Sequence, residues 1–269
     1  MSQPTRLTGA QETSLAIAAA VVTANAYYIH PIIAEVADYF GVSHSRIGLV
    51  PALNQIALAV GIFLLLPLGD RISNRRLTIT FAAGQTASIA LMAIAQGFTL
   101  FVIGSTMLGF FTIAPYLLPA YASKRVAPER LGQVTAKLAA GVILGILIAR
   151  VGAGVVAEHF GWRMIYWIAA ALMLAVTLAL PRLMEGGERY ARDRQSYLNL
   201  LVSVFPLIGK HREILFSGAI QALNFGQFIA VWLGLALYLT SPEMGYGTDT
   251  VGYLAGLAAI SIFSTPRLG

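Results

Sequence analysis

An arginine lies inside a long apolar run at residues 145–154, GILIARVGAG. A charged side chain within a lipid-spanning helix is costly, and such residues normally face the bundle interior, a water-filled cavity or a partner group. Arg150 precedes Glu158 by eight residues, which places it about 12 Å inside the outer end of its helix at about 1.5 Å per residue. Arg150 is therefore the first candidate for contact with a substrate or a coupling ion.

Other polar residues occur at a similar depth in neighbouring apolar runs. Asn54 lies about 10 Å inside the outer end of the second run, counted at the same rise per residue. Asn25, Tyr28 and His30 belong to the first run. With Arg150, these residues predict a polar site between the first, second and fifth runs.

Each of these residues also has a simpler interpretation. As a structural cation, Arg150 would bind a neighbouring backbone carbonyl or Glu35. His30, directly before Pro31, is typical of a helix end at the membrane interface, and Asn25 suits a hydrogen bond between helices.

Three amides recur at helical spacing in the seventh run, at Gln221, Asn224 and Gln227. Asn224 is the candidate among them for the same polar site. Hydrogen bonding between helices explains each amide alone equally well.

A second group of charged residues lies in the turn LPLGDRISNRRL at residues 66–77. A carboxylate at the membrane boundary is costly unless it is paired, so we expect Asp70 to pair with a cation such as Arg71 or Arg125. The preference of cytoplasmic loops for basic residues already accounts for Arg75 and Arg76.

The composition requires lipid around most of the chain. Hydrophobic residues make up 57% and charged residues 11% of the 269 residues, and the mean hydropathy is +0.73. That is more apolar surface than a soluble domain of this length can bury. The chain has no cysteine, which excludes disulfides and thiol chemistry.

Several function classes are excluded by what the sequence lacks. The basic residues behind the net charge of +6 lie in short segments between apolar runs, so nucleic acid is not an expected partner. Metal-ligand spacing, a nucleophile with a base and a glycine-rich phosphate loop are all missing. We therefore predict no enzyme, no cofactor and no metal site.

Seven runs are long enough to cross a hydrocarbon core of about 30 Å, which needs roughly 20 apolar residues per helix. They lie at about residues 14–34, 47–69, 77–97, 99–122, 134–157, 162–181 and 214–239, and a shorter eighth run begins near Val251. We predict an all-α membrane protein whose first run is an uncleaved anchor. Trp162, Tyr166 and Trp167 are expected in an aromatic belt at the outer interface.

The loops differ in charge between the two sides of the predicted membrane. Thirteen Lys and Arg residues lie on one side, against only Arg46 and Arg163 on the other. The positive-inside rule places the first side, with the N-terminus, in the cytoplasm, as expected for a multi-pass protein of a bacterial inner membrane. The outer side carries Glu35, Asp38, Glu158, Glu243 and Asp249.

The turn at residues 66–77 resembles the cytoplasmic signature of the major facilitator superfamily (MFS), G-x-x-x-D-R-x-G-R-R. Asp70 and Arg71 supply its acid and first base, and Arg75 and Arg76 supply its basic pair one residue later than in the signature, whereas both glycines of the signature are replaced. In that family these groups latch the two halves of a transporter together. The resemblance therefore implies a gating role for the four residues.

Other stretches are similar to the same superfamily. The first run, ANAYYIHPIIAEVADYFGVS, is similar to the opening helix of its bacterial drug and metabolite exporters, and GWRMIYW is similar to the start of its sixth helix. Gly132, Gly141 and Gly145 follow the fifth-helix antiporter pattern G-x8-G-x3-G-P-x2-G-G. Ile146 replaces the proline of that pattern, and Ala149-Arg150 replaces its final glycine pair.

The resemblance implies a secondary transporter that exports a small organic solute or drug by alternating access between two six-helix halves. We divide the chain into a six-helix half at residues 1–181, a cytoplasmic linker at 182–213, and the start of a second half at 214–269, truncated after the seventh or eighth helix. The alternative is a non-transporting remnant or membrane assembly module.

The resemblance also implies partners for the chain. They are membrane lipid, a small-molecule substrate and a coupling ion, and either a second copy of the chain or a missing C-terminal half would complete the path. Ser105 stands where the family has an arginine associated with proton coupling, so the coupling ion stays open between a proton and another ion.

Overall fold

Helices form the framework of the molecule. The computed structural model describes residues 7–185 and 196–258, and no strand occurs within those ranges. Seven helical segments there are long and apolar enough to cross a membrane, which confirms the seven predicted runs. We call them spans 1 to 7, at Gly9–Phe40, His44–Asp70, Asn74–Ile94, Phe98–Ser123, Pro128–Phe160, Trp162–Leu183 and Arg212–Leu239.

The region between spans 6 and 7 is partly helical. Span 6 continues to Leu183, and short helices form at Tyr197–Val202 and Val204–Lys210. After span 7 the chain forms the eighth helix at Thr248–Ala258. Residues 186–195 of the predicted linker and the remainder of the predicted eighth run lie outside the described residues.

Local sequence signals set the two ends of span 1. Thr8 Oγ1 accepts from the Gln11 N–H at 3.2 Å, and Gln11 Oε1 accepts from the Thr8 N–H at 2.9 Å. This capping box satisfies backbone donors that the first turn leaves free. At the other end Gly41 adopts a φ of 60°, which lets its N–H bond to the carbonyls of Ala37 and Asp38.

Spans 1 and 4 are interrupted near their middle. Their helical segments are Gly9–Ala24 and Ile29–Phe40 in span 1, and Phe98–Phe111 and Ala114–Ser123 in span 4. A proline follows each interruption, Pro31 in span 1 and Pro115 in span 4. Because proline has no N–H and clashes with the carbonyl four residues earlier, a regular helix cannot continue through these positions.

One side chain joins the two interruptions. The amide nitrogen of Gln85 in span 3 donates to the Val22 carbonyl at 3.0 Å and to Thr112 Oγ1 at 2.9 Å. Gln85 is fully buried, so these hydrogen bonds replace water for a polar group inside the bundle. Spans 1, 3 and 4 are thereby held together where two of them depart from regular helix.

Close contacts hold span 1 against span 5 and span 2 against span 4. A Cβ atom at Gly141 or Gly145 would overlap the span 1 backbone at Ala16 or Ala20, and one at Gly109 would overlap the span 2 backbone. Small residues let helix backbones approach in lipid, where no hydrophobic force drives helices together. Spans 3 and 6 form the third closely packed pair.

The two ends of the bundle differ in charge. We call them the basic end, with Arg71, Arg75, Arg76, Lys124, Arg125 and Arg130, and the acidic end, with Glu35, Asp38, Glu158, Glu243 and Asp249. Between the ends, large apolar side chains such as Ile148 and Leu178 are exposed. Exposed apolar faces of this kind suit contact with lipid.

The predicted aromatic belt is wrong for two of its three residues. Trp162 and Tyr166 are buried, because both rings pack edge-on against Phe101 with centroids 5.5 and 5.4 Å away. Trp167 is exposed. Position along the helix suggested the membrane interface for all three, but rotation about the helix axis turns two of them inward.

Span 7 and the eighth helix pack on the bundle near its acidic end. Glu158 of span 5 accepts from the Thr248 N–H at 3.0 Å, and Thr248 Oγ1 donates to the Gly154 carbonyl at 3.1 Å. Span 7 contacts the second segment of span 1. Its first half, along residues 212–228 towards the basic end, is exposed.

Candidate substrate-binding site

The interruption of span 1 positions the side chains around the candidate site. Pro31 cannot donate to the Tyr27 carbonyl, which instead accepts from the His30 N–H at 3.2 Å. The tightened turn places the rings of Tyr27 and His30 edge to face, with centroids 5.2 Å apart. Both residues are buried. A proline in the first span therefore fixes the geometry of two polar rings inside the bundle.

Arg150 of span 5 lies next to these rings. Its side chain is inside the bundle, since the residue is only 4% exposed, and Nη2 lies 3.2 Å from Nδ1 of His30. A guanidinium group has only donors, so the imidazole accepts at Nδ1 and is neutral, with its proton on Nε2. The sequence-based prediction named Arg150 and His30, and the structure brings them together.

Aromatic faces surround the guanidinium on its other sides. The Arg150 carbon Cζ lies 5.5 Å from the ring centroid of Tyr27, 4.6 Å from Phe228 and 4.5 Å from Trp232. Each such contact contributes about 0.5–1 kcal/mol at an exposed site and about 2 kcal/mol or more when desolvated, whereas taking a charge out of water costs several kcal/mol. Three rings therefore offset a substantial share of the cost of burying Arg150.

A carboxylate partner for Arg150 is missing from the part of the chain that the structure describes. The interpretation of Arg150 as an ion-pair partner of Glu35 is wrong, because Glu35 Oε1 instead accepts from the Trp162 N–H at the start of span 6, at 3.1 Å. Within the described residues, Nε of Arg150 and Nε2 of His30 are buried and have no hydrogen-bond partner. Two donors thus remain without an acceptor.

Two cavities adjoin this cluster. A narrow one, lined by His30, Arg150, Trp232 and Ala255, leaves no room for a water molecule. A second cavity of about 380 Å³ lies between spans 1, 2, 4, 5 and 7 and extends towards the basic end. Its wall includes Tyr27 and Tyr116, so Tyr27 separates Arg150 from the larger cavity.

The other predicted site residues of spans 1 and 2 lie apart from Arg150. Asn54 donates to the Ser105 carbonyl of span 4 at 2.7 Å, and Asn25 donates to the Met173 sulfur of span 6 at 3.4 Å. Tyr28 packs on the apolar core, whereas its neighbour Tyr27 faces Arg150. The predicted polar site between spans 1, 2 and 5 therefore does not form as one cluster.

Span 7 contributes rings rather than amides. Asn224 is exposed and has no hydrogen-bond partner among the described residues, whereas Phe228 and Trp232, one and two turns further along, face Arg150. The sequence contained a signal for this, since aromatic residues at i and i+4 lie on one face of a helix.

The predicted pairing of Asp70 with Arg71 or Arg125 is wrong. Asp70 is exposed and forms no ion pair with another described residue. Arg125 instead donates to the Glu185 carbonyl at 3.1 Å. Arg76 is exposed and Arg71 is half-buried.

Arg75 of the predicted gating turn donates two hydrogen bonds to span 6. Its Nε donates to the Met184 carbonyl at 2.6 Å and its Nη2 to the Pro181 carbonyl at 2.9 Å. These carbonyls belong to the last turn of span 6, where a helix leaves acceptors free and carries partial negative charge. Arg75 thus attaches the turn between spans 2 and 3 to the end of span 6.

Sequence reasoning missed a buried carboxylate at the basic end. Glu12, in the first turn of span 1, is 5% exposed and accepts from Arg130 at 2.8 Å, while Lys137 lies 4.0 Å away. Both cations belong to span 5. A glutamate at the start of an apolar run, with a lysine inside the facing run, was the available signal.

Comparison with known proteins agrees with this architecture. Residues 15–269 match the sequence profile described as Major Facilitator Superfamily. The chain therefore belongs to the Major Facilitator Superfamily, and its seven apolar spans are those of a multi-pass membrane protein. Among the described residues no group of three or more His, Cys, Asp or Glu side chains could hold a metal ion.

Similar sequences carry transporter names. The chain is 29% identical over 238 residues to the uncharacterised transporter YgaY of Escherichia coli O157:H7, covering 88% of this chain and 60% of that protein. It is also 29% identical over 249 residues to the probable transporter SCO4007 of Streptomyces coelicolor, covering 91% and 57%. The chain thus spans about three fifths of the length of these relatives.

Solved structures share the fold. A D-xylose–proton symporter superposes with a TM-score of 0.67 at 14% sequence identity, over 96% of this chain and 69% of the other. The POT family transporter PepTSo gives a TM-score of 0.58 at 15% identity, over 92% of this chain and 54% of the other. At these identities the likeness concerns the arrangement of helices alone.

Proposed function

We propose that this chain is a secondary transporter that moves a small organic solute out of a bacterial cell by alternating access. The observation that carries the proposal is a buried arginine, Arg150, without a carboxylate partner beside a cavity of about 380 Å³. Charged residues inside spans commonly mark transport pathways, and cavities of a few hundred Å³ suit small molecules. Arg150 and His30 are the proposed substrate or coupling-ion contacts.

The packing of span 7 supports alternating access. Near the acidic end, Trp232 covers Arg150 and the eighth helix bonds to span 5 through Glu158 and Thr248. Towards the basic end, the first half of span 7 is exposed and the larger cavity lies beside Phe225. We propose that this conformation is closed at the acidic end and accessible from the basic end.

The gating turn has a separate proposed role. Arg75 attaches it to the end of span 6, whereas Asp70, Arg71 and Arg76 have no such hydrogen bond to span 6 within the described residues. We propose that these three residues engage other partners when the basic end closes. The basic end is proposed to face the cytoplasm, because thirteen of the loop cations lie on that side.

Transport measurements test the proposal. Cells that express the chain would be loaded with a panel of fluorescent cations, organic anions and neutral metabolites, and efflux followed beside Arg150→Ala and Arg182→Ala variants of equal membrane abundance. Arg182 is the control because it is exposed and donates within its own helix, to the Leu178 carbonyl at 3.1 Å. We expect efflux of at least one solute class, lost in Arg150→Ala and retained in Arg182→Ala.

The contrary outcomes are equally clear. Efflux that persists in Arg150→Ala would contradict the proposal that Arg150 contacts the substrate or the coupling ion. No efflux by the parent chain for any solute class would contradict transport and favour the alternative, a non-transporting membrane assembly module.

A further inference from the structure

We infer that the cluster of Arg150 and His30 binds the carboxylate of a small organic acid whose apolar body occupies the adjoining cavity. The inference rests on the proposed function in placing the substrate at this cluster, and it adds the substrate's chemical class. Nothing in the family membership or in the names of the similar proteins supplies that class.

Two buried N–H donors at this cluster lack an acceptor within the described part of the chain. Arg150 Nε and His30 Nε2 are both buried without a hydrogen-bond partner among the described residues, and both residues line the same narrow cavity. Buried polar groups in folded proteins are nearly always satisfied. Because the two free positions are N–H donors and one belongs to a cation, the missing partner is an acceptor with negative charge.

The carboxylates of spans 1 and 5 whose hydrogen bonds the structure shows do not accept from these two donors. Glu35 bonds to the Trp162 N–H, and Glu158 bonds to the Thr248 N–H and hydroxyl. Glu12 lies at the basic end with Arg130. Each of these carboxylates of spans 1 and 5 is therefore engaged elsewhere in the described part of the chain, and a ligand would have to supply the anion.

The wall of the larger cavity suits an apolar body attached to the carboxylate. The larger cavity has a mostly apolar wall with a few neutral polar groups, among them Thr23, Gln55 and Tyr116, and no Asp, Glu, Lys or Arg of the described residues lines it. A cation would find no counter-charge there, and a small inorganic anion would leave the cavity unfilled. Tyr27 borders this cavity and faces Arg150, so a carboxylate at Arg150 can continue into an apolar body beside Tyr27.

Span 7 must move for such a ligand to reach Arg150. The narrow cavity has no room for a water molecule, and Trp232 forms part of its wall with its ring centroid 4.5 Å from Arg150 Cζ. A carboxylate therefore displaces at least one of the aromatic rings from the guanidinium. Trp232 then reports binding directly, because its fluorescence depends on the charge beside the indole.

The test is a binding titration of the purified full chain in lipid nanodiscs, read by tryptophan fluorescence. The probes are acids of increasing length from acetate to octanoate and phenylacetate, each beside its amide and its amine of the same body, with chloride and phosphate as inorganic anions. Trp232→Phe keeps a ring at this position and identifies the part of the signal that comes from Trp232, since Trp162 and Trp167 remain.

We expect one or more of the longer acids to bind at least ten-fold more tightly than the matched amide and amine. Arg150→Gln should abolish this preference, and Arg150→Lys should retain part of it. Arg182→Gln is the control for removal of a charge at an exposed site. Thermal unfolding of each variant identifies any that fail to fold, and in that case Tyr27→Ala, which opens the wall between Arg150 and the cavity, should change the preferred acid length.

Three results would overturn the inference. They are equal binding of acid and amide, binding of chloride or phosphate as tight as that of the best acid, and no binding by any probe. Because binding is measured without transport, acid binding in a chain that fails the efflux assay would contradict the proposed function alone. Efflux of only cationic or neutral solutes would support the proposed transport function and contradict the inference that the substrate carries a carboxylate.

Discussion

The arginines of this bundle differ in the acceptors available to them. Arg163 donates to the Ala95 carbonyl at the end of span 3, at 2.5 Å, and Arg75 donates to two carbonyls at the end of span 6. Free carbonyls at a helix C-terminus are natural partners of a cation. Arg150 lies within a helix, where backbone carbonyls are already bonded, so among the described residues its guanidinium contacts His30 and three aromatic rings.

Removal of Arg75 should weaken the attachment of the turn at residues 66–77 to the end of span 6. Arg75→Ala is expected to lower the free energy of unfolding by about 1–2 kcal/mol, because two charge-assisted hydrogen bonds are lost at a partly exposed site. Arg76→Ala is the matched control, since Arg76 is exposed, and surface changes usually stay within about 0.5 kcal/mol. Denaturant unfolding in detergent measures both, and equal effects would contradict the assigned contacts.

The buried carboxylate at the basic end gives a second prediction at this scale. Glu12→Gln should destabilise the chain by about 1–2 kcal/mol, less than for a fully buried ion pair because Arg130 and Lys137 are partly solvated. Glu129→Gln removes an exposed carboxylate from the first turn of span 5 and serves as control. Thermal unfolding at low and high salt compares the two, and a larger effect for Glu129 would argue against the Glu12 cluster.

At the scale of the helices, the depth of a residue along its span was predictable from the sequence, whereas the neighbouring span that its side chain faces was not. Counting residues placed Asn54 and Arg150 at similar depths, yet Asn54 faces span 4 and Arg150 faces spans 1 and 7. Helices that are apolar on all sides have no hydrophobic face that fixes their rotation. The same reason explains Trp162, whose position along the chain is interfacial but whose ring is buried.

The close pairing of spans 1 and 5 can be tested on one helix. Gly145→Ala should destabilise the chain, because the added Cβ would overlap the backbone of Ala20. Gly152→Ala is expected to stabilise by up to about 1 kcal/mol, since nothing lies within 4 Å of its Cβ position and alanine favours helix over glycine. Thermal unfolding of both variants gives the comparison, and stabilisation by both would show that the helices are further apart.

At the scale of the whole molecule, run length and composition predict the seven spans and the membrane class, whereas the orientation inferred from loop charge stays a prediction. The turn at residues 66–77 resembles the family signature through its residue types, and its gating role stays a prediction. Those residue types do not show that the Asp70 carboxylate is exposed, so its lack of an ion-pair partner among the described residues was not predictable. The Glu12 cluster also escaped prediction, because its members are more than a hundred residues apart in sequence. Long-range pairs of this kind leave no local pattern.

The absence of cysteine makes the two ends of the molecule separately testable. Ala139→Cys, in the larger cavity, should react with a membrane-impermeant maleimide added from the side of the basic end. Ala255→Cys, which is 2% exposed beside Arg150, should react at least ten-fold more slowly from either side. Equal rates, or reaction of Ala139→Cys only from the acidic end, would contradict the proposed accessibility.

The aromatic contacts of Arg150 affect how easily span 7 can slide along its own axis. A hydrogen bond weakens steeply once its angle departs from linearity, whereas a cation over a ring face is attracted to the whole π surface. Phe228 and Trp232 present two such surfaces one turn apart along span 7. Sliding span 7 past the guanidinium exchanges one ring for the next without breaking a directional bond, so this contact offers little resistance to the motion.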